Sequence, residues 1–263
     1  MIATILQLEN VNKRFGGVVV ANNIELVLKR GEILGLIGPN GAGKTSLFNL
    51  ISGFVPPDTG SIYLQEKRIN ELSIYERARL GISRTWQNVR LFRSMTVLDN
   101  LLISTRLYKG ESIFQIVFGA NALKKSRESS KEKAFQILDR IGLSNDWDKT
   151  VSELPFGQQK LVALGRSLMN DGNCLLLDEP MAGVEGQVYD MMKKVVRKAA
   201  EEGKAVCVIE HSISFIKDLC DSAVFMFSGQ IIARGTMGEL LSSQKLADIY
   251  FGAETLKHSA QKD

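Results

Sequence analysis

The sequence predicts an α/β fold: a mostly parallel sheet with helices on both faces, an N-terminal antiparallel β subdomain and an inserted helical subdomain. Three observations predict it. Short apolar runs at 33–37, 173–180 and 204–211 alternate with helical patterns, the order that builds a parallel sheet. Residues 4–28 instead alternate apolar with polar around a glycine turn, as antiparallel strands do. From 88 to 164 strand signals vanish and only helical periodicity remains.

The elements follow in order. Thr4 to Val11 alternates, Gly16-Gly17 turns, and Val18 to Leu28 mixes β-branched with polar residues. Arg30-Gly31-Glu32 turns the chain into Ile33–Ile37, and a helix follows Lys44. Gly53 to Gly60 is a turn cluster, and Ser61 to Gln65 a strand. Ser73 with Glu76 forms a capping box for a helix over 73–80, which Gly81 ends. Ile82 to Gln87 reads as a short strand. Thr96, with Asp99 in the first turn, opens the next helix. Residues 106–130 are looser, with an apolar patch at 113–118 and a polar run after it. Lys131 to Ile141 places Ala134, Ile137, Leu138 and Ile141 on one face, and Gly142 is a C-terminal stop. Further helices are expected at 160–169, 187–202, 212–219 and 236–252, with a hairpin around Ser228-Gly229. One domain of 263 residues then divides into four parts. Residues 1–32 and 60–72 are antiparallel β; 33–59, 73–87 and 165–252 are the core; 88–164 is helical; 253–263 is a polar tail.

Composition excludes disordered and fibrous classes: 44% of residues are hydrophobic and 24% charged, as in globular domains. The net charge of +4 suits an anionic ligand or an anionic membrane surface, but from charge alone an ordinary soluble surface explains it better. Cys174, Cys207 and Cys220 form no Cys-x-x-Cys, and they read as reduced core thiols of a cytoplasmic protein. The first residues show no signal-peptide pattern. No apolar run approaches the ~18–20 residues needed to cross a bilayer, so a membrane role would pass through a partner.

The most informative stretch is 33–48. An apolar strand stops at Gly38, and Gly38-Pro39-Asn40-Gly41-Ala42-Gly43-Lys44-Thr45-Ser46 leads into a helix. Gly-x-x-x-x-Gly-Lys-Thr between strand and helix is the P-loop pattern. Glycines let backbone N–H groups wrap a phosphate, and the helix N-terminus adds partial positive charge. Lys44 is placed for the β- and γ-phosphates and Thr45 for Mg²⁺. The fold is thus a RecA-like P-loop NTPase that binds a nucleoside triphosphate with Mg²⁺.

Two further strand ends carry acid–base groups. Leu175-Leu176-Leu177-Asp178-Glu179 delivers carboxylates from an apolar strand, the Walker B arrangement. Asp178 is the candidate Mg²⁺ carboxylate and Glu179 the candidate general base. Glu210-His211 ends the next apolar strand, placing an imidazole on the same sheet edge as a candidate γ-phosphate contact.

The order P-loop, Gln87 after a strand, Leu154-Pro155-Phe156-Gly157-Gln158 before a helix, Asp178-Glu179-Pro180 and a strand-end His211 resembles the ATP-binding cassette (ABC) family across essentially the whole chain. Arg14-Phe15-Gly16-Gly17, Asn88-Val89-Arg90-Leu91-Phe92, the 106–130 insertion, Gly157-Gln158-Gln159 and Ala182-Gly183 narrow the resemblance to branched-chain amino acid uptake ATPases. The resemblance implies that Phe15 stacks on adenine; the lesser alternative is a core Phe of an edge strand. It implies that Gln87 contacts Mg²⁺ and the attacking water, and that His211 is a switch histidine. It implies that residues 154–158 close over the ATP of a second ATP-binding subunit, identical or paralogous, in a head-to-tail dimer. Two integral membrane permeases, an external solute-binding protein and a peripheral place on the cytoplasmic face of the membrane come with it; nucleic acid does not. Residues 89–92 are candidates for docking on the permeases, or else the buried start of the helical subdomain.

The implied activity is ATP hydrolysis that energises an importer of branched-chain or other hydrophobic amino acids. Import of another solute, of urea or amide type, and a non-transport ABC ATPase are the alternatives. A GTPase is disfavoured because no Asn-Lys-x-Asp follows the P-loop. Two departures from the family pattern stand out. Pro155 and Phe156 occupy the serine and first glycine of Leu-Ser-Gly-Gly-Gln, and Pro offers neither hydroxyl nor N–H. Gly183-Val184-Glu185 replaces the usual small residue, Leu and Asp.

Overall fold

The computed structural model describes residues 3–87, 89–105 and 120–243, with Leu246 and Ile249. Asn88, the apolar patch at 113–118 and the tail at 253–263 lie outside the described residues. The chain forms two compact units: Met1–Arg84, Asn173–Glu179 and Arg197–Asp263 in one, Thr85–Gly172 and Pro180–Val196 in the other.

The first unit opens with β1 (Thr4–Phe15) and β2 (Val18–Lys29), paired antiparallel. β3 (Ile33–Ile37) leads through the glycine loop into α1 (Lys44–Ser52), then β4 (Thr59–Leu64), β5 (Lys67–Arg68), α2 (Ile74–Leu80) and β6 (Ile82–Arg84). Ser73 and Glu76 form the expected capping box of α2, with Gly81 left-handed behind it. β6 ends three residues before Gln87. Among the described residues it pairs with one strand, from Ile82 to Arg84, and the chain then enters the second unit.

The second unit holds α3 (Val97–Leu102), α4 (Ala120–Arg140) and α5 (Phe156–Met169). Thr96 caps α3 by accepting from Asp99 N–H. α4 begins well before Lys131. Its N-terminal turns are rich in Lys, Ser, Arg and Glu, so they lack the apolar repeat that periodicity detects. α5 begins at Phe156 instead of Lys160, because Pro155 serves as N-cap, where a missing N–H costs nothing. Leu101, Ile137 and Ile141 converge on Gly165 of α5; a Cβ there would lie 3.1–3.2 Å from all three, so a larger side chain would force these helices apart.

β7 (Cys174–Asp178) returns to the first unit, and α6 (Gly186–Glu201) starts in the second and ends in the first. β8 (Ala205–Ile209), α7 (Ile213–Leu219), the hairpin β9 (Ser222–Phe227) and β10 (Gln230–Gly235), and α8 (Met237–Ser242) complete the described elements. The rest of the 236–252 expectation falls largely outside the described residues.

The first unit contains two sheets, ordered β2-β1-β4-β5 and β10-β9-β3-β8-β7-β6. In the larger, β3, β6, β7, β8 and β9 are parallel and β10 is an antiparallel edge. β3, β7 and β8 are buried at every position, which explains their unbroken apolar runs: both faces are covered. One core joins the two sheets, with Leu6, Leu8 and Ile24 from the small sheet, Leu34, Leu176 and Cys207 from the large one, and Phe48 of α1 between them. Burial pushes the Cys174 thiol up to about 12, as suits an inert packing residue.

Candidate nucleotide site

The glycine loop has little room for side chains. Gly38 and Gly43 have φ of 149° and 104°. A Cβ on Gly38 would lie 2.0 Å from Met226 O, and one on Gly43 would lie 2.4 Å from Val20 O. The loop is also pinned from outside: Gly229 N–H donates to Ala42 O (2.9 Å), and Asn22 N–H to Gly229 O (2.8 Å). Lys44 is buried at the start of α1, its Nζ donating to Gly38 O (2.6 Å) and Pro39 O (3.0 Å). Thr45 and Asn40 are exposed, and Gly41 has open space above it. The first N–H groups of α1 follow a glycine, which has no side chain to cap them.

Strand register assembles the acid–base group. β7 and β8 run parallel with Asp178 opposite Ile209, so Glu179 and His211 leave adjacent strands at one edge. Glu179 Oε1 lies 2.9 Å from His211 Nε2. Glu179 has φ of +48°, a conformation rare outside glycine, fixed by its N–H donating to Ile209 O at 3.0 Å. Asp178 is buried, and its Oδ2 accepts from Arg84 Nη2 at 2.8 Å. Burial raises the Asp178 carboxyl above the usual range, against the opposing pull of the Arg84 hydrogen bond and charge.

The donor set suits Mg²⁺. A buried carboxylate and the Thr45 hydroxyl are hard oxygens, and Mg²⁺ takes one or two carboxylates plus substrate phosphates. Among the described residues no cluster of three or more His, Cys, Asp or Glu forms a self-sufficient metal cage.

Phe15 ends β1 opposite Val18, two residues from the Val20 that abuts Gly43. It is 49% exposed, which excludes the core reading. Lys13 Nζ sits 5.4 Å from its ring centroid and is paired with Asp58.

The second unit carries the remaining candidates. Gln87 is exposed in the loop after β6. Trp86 lies under Arg90, whose guanidinium is 4.2 Å from its ring centroid. Phe92 is 48% exposed and Arg90 is also exposed, so this loop is no buried start to the helical part. Asn100 holds it: wholly buried, it accepts from Phe92 N–H (2.9 Å) and donates to Phe92 O and Thr96 O. Arg166 donates to Arg90 O and Ser104 Oγ and lies 5.4 Å from the Phe92 ring centroid. Leu154 is buried, while Pro155 is exposed at the N-cap of α5. Phe156 projects outward with Lys160 5.5 Å from its ring centroid. A Cβ on Gly183 would lie 3.2 Å from the Phe156 ring, and one on Gly157 3.3 Å from Val188. Gln158 is half-buried, and Glu185 is exposed after the turn closed by Val184 N–H to Met181 O.

Arg84, Asn100 and Arg166 carry no motif, and each was silent in the sequence. Their partners lie far along the chain or on the backbone, out of reach of spacing arguments.

A glycine loop, a buried strand carboxylate and a strand-end Glu–His pair on one parallel sheet define a P-loop nucleoside triphosphatase. The family model for ABC transporters matches residues 21–182, and this chain belongs to that family as an ATP-binding, ATP-hydrolysing cassette. It is similar to a probable branched-chain amino acid transport ATP-binding protein of Methanocaldococcus jannaschii, 38% identical over 94% of this chain and 97% of the relative. A relative of the same description in Archaeoglobus fulgidus is 36% identical over 95% and 96% of the two chains. Among solved structures it is similar to the ADP conformation of an ATP-binding cassette of an ABC transporter, with TM-score 0.82, 36% identity and 95% and 99% coverage. A nucleotide-free cassette gives TM-score 0.80 at 35% identity, covering 94% and 98%.

Proposed function

We propose that this chain is the ATP-hydrolysing subunit of an importer for branched-chain or other hydrophobic amino acids. The observation that carries the chemistry is the Asp178–Glu179–His211 cluster, built by strand register at the C-terminal edge of the sheet that carries the P-loop. The names of the similar proteins support the solute class.

On this reading the loop N–H groups and Lys44 bind the triphosphate, Lys44 exchanging its carbonyl partners for β- and γ-oxygens. Thr45 and Asp178 would hold Mg²⁺, which would supply positive charge at the phosphates. Phe15 stacks on adenine. Glu179 accepts the proton of the attacking water as its oxygen bonds the γ-phosphorus, and the bond to the β–γ bridging oxygen breaks with its electrons leaving on ADP. His211 orients Glu179 at 2.9 Å and reaches the γ-phosphate. Residues 154–158 act on the nucleotide of a second cassette, and residues 89–92 dock on membrane permeases at the cytoplasmic face.

Glu179→Gln keeps the shape and removes the base. ATP binding should persist while turnover falls about 10²–10⁴-fold; retained turnover would refute the assignment. For the solute, leucine uptake into vesicles holding the assembled importer should stop with Lys44→Ala. Uptake indifferent to that change would overturn the transport reading.

A further inference from the structure

Two buried arginines grip the far end of α1, and they differ in what else they touch. Arg77 is 1% exposed and donates to four backbone carbonyls: Leu50 O, Ile51 O, Asn70 O and Leu72 O. It adds side-chain donors to Leu50 O and Ile51 O in the last turn of α1, where Leu50 O also accepts from the capping Gly53 N–H at 3.3 Å. Gly53 leaves room for it, since a Cβ there would sit 2.9 Å from Arg77 Nε.

Arg84 reaches the same helix and then goes further. Its Nη1 donates to Asn49 Oδ1 (2.7 Å) and Ser52 Oγ (3.1 Å), and its guanidinium lies 5.5 Å from the Phe48 ring centroid. Its Nη2 donates to Asp178 Oδ2 at 2.8 Å. Both side chains of that ion pair are nearly closed to solvent, at 5% and 3% exposure. One planar fork therefore spans from the helix that begins with Lys44 and Thr45 to the carboxylate at the end of β7. A guanidinium suits this because its donors are fixed relative to one another, whereas an ammonium offers one point.

We infer that Arg84 is a positioning residue for Mg²⁺: it fixes the Asp178 carboxylate relative to α1, so that Asp178 and the Thr45 hydroxyl meet one cation. This rests on the assignment of Mg²⁺ to Asp178 and Thr45 above. Groups that orient a metal ligand commonly change metal affinity about 10–100-fold when removed.

The test measures binding of a non-hydrolysable ATP analogue to the full chain by calorimetry, with graded Mg²⁺ and with EDTA. Arg84→Lys keeps the charge and loses the span. The Mg²⁺ concentration for half of the affinity gain should rise about tenfold, with affinity in EDTA unchanged. The pair Asn49→Ala with Ser52→Ala removes the α1 acceptors, keeps Arg84 and Asp178, and should shift the curve the same way; it decides the matter if Arg84→Lys does not fold. A wild-type Mg²⁺ curve in both variants overturns the inference, as does an equal loss of affinity in EDTA, the mark of a damaged P-loop. Asp178→Asn separates the premises. If it too leaves the curve unmoved, the metal assignment fails; if it alone shifts the curve, Asp178 stands and the role of Arg84 falls.

Discussion

The two units hold their candidate residues in opposite ways. In the first, Lys44 and Asp178 are buried, and Glu179 is set by a backbone hydrogen bond to the neighbouring strand. In the second, Gln87, Phe92, Phe156 and Glu185 are exposed, on loops and helix starts tied by Asn100, Arg166 and Pro155. Strand register fixes the first set to a single geometry, as phosphate chemistry requires. The second set offers aromatic and charged surface, which suits contact with other chains. Damage to the first should abolish a chemical step, whereas damage to the second should change coupling or rate.

The largest effect should come from a crowded point of the glycine loop in the first unit. Gly43→Ala asks alanine to adopt φ of 104° with its Cβ 2.4 Å from Val20 O, a backbone atom with no rotamer to change. Left-handed strain alone costs on the order of 1–3 kcal/mol, and the clash adds to it. Nucleotide binding measured by calorimetry should be lost. Affinity within the wild-type range would mean that the loop is looser than its contacts imply.

A smaller and more local effect should follow from Asn100→Ala in the second unit. It removes one acceptor and two donors from the buried start of α3 and leaves Phe92 N–H without its side-chain partner. An unsatisfied buried polar group costs about 1–3 kcal/mol. Hydrogen exchange should accelerate at residues 89–97 while ATP affinity stays at the wild-type value. A fall in affinity of similar size would show that the two units are not separable in this way.

The same contrast decides what the sequence could tell. The parallel core was legible because β3, β7 and β8 are buried on both faces, and so appear as continuous apolar runs. The P-loop was legible because its glycines, Lys44 and Thr45 fall in one short stretch at fixed spacing, although the backbone atoms that crowd Gly38 and Gly43, Met226 O and Val20 O, are distant in the chain. Glu179 and His211 were each visible as strand ends, but their pairing depends on β7 and β8 being neighbours, which is a fact of topology. Arg84 was invisible, since its partners Asn49 and Asp178 are 35 and 94 residues away. The early start of α4 was hidden by polar turns with no apolar stripe, and that of α5 by a proline that looks like a break yet sits where helices accept one.

Pro155 also supports the smallest effect that still tests the comparison. It is the N-cap of α5, with φ of −54° and ψ of 150°, and it makes no side-chain cap. Pro155→Ser introduces a hydroxyl that can accept from the N–H of Gly157 or Gln158, worth about 0.5–2 kcal/mol in helix stability. The melting midpoint should rise by a few degrees at most. If residues 154–158 act on the nucleotide of a second cassette, the same hydroxyl also reaches the γ-phosphate, and ATPase activity should rise several-fold at protein concentrations that favour association. A higher midpoint with unchanged ATPase would make position 155 a helix cap and nothing more, and would place the lid function on Gly157 and the helix N-terminus. A fall in ATPase would show that the proline itself shapes the loop that Phe156 presents.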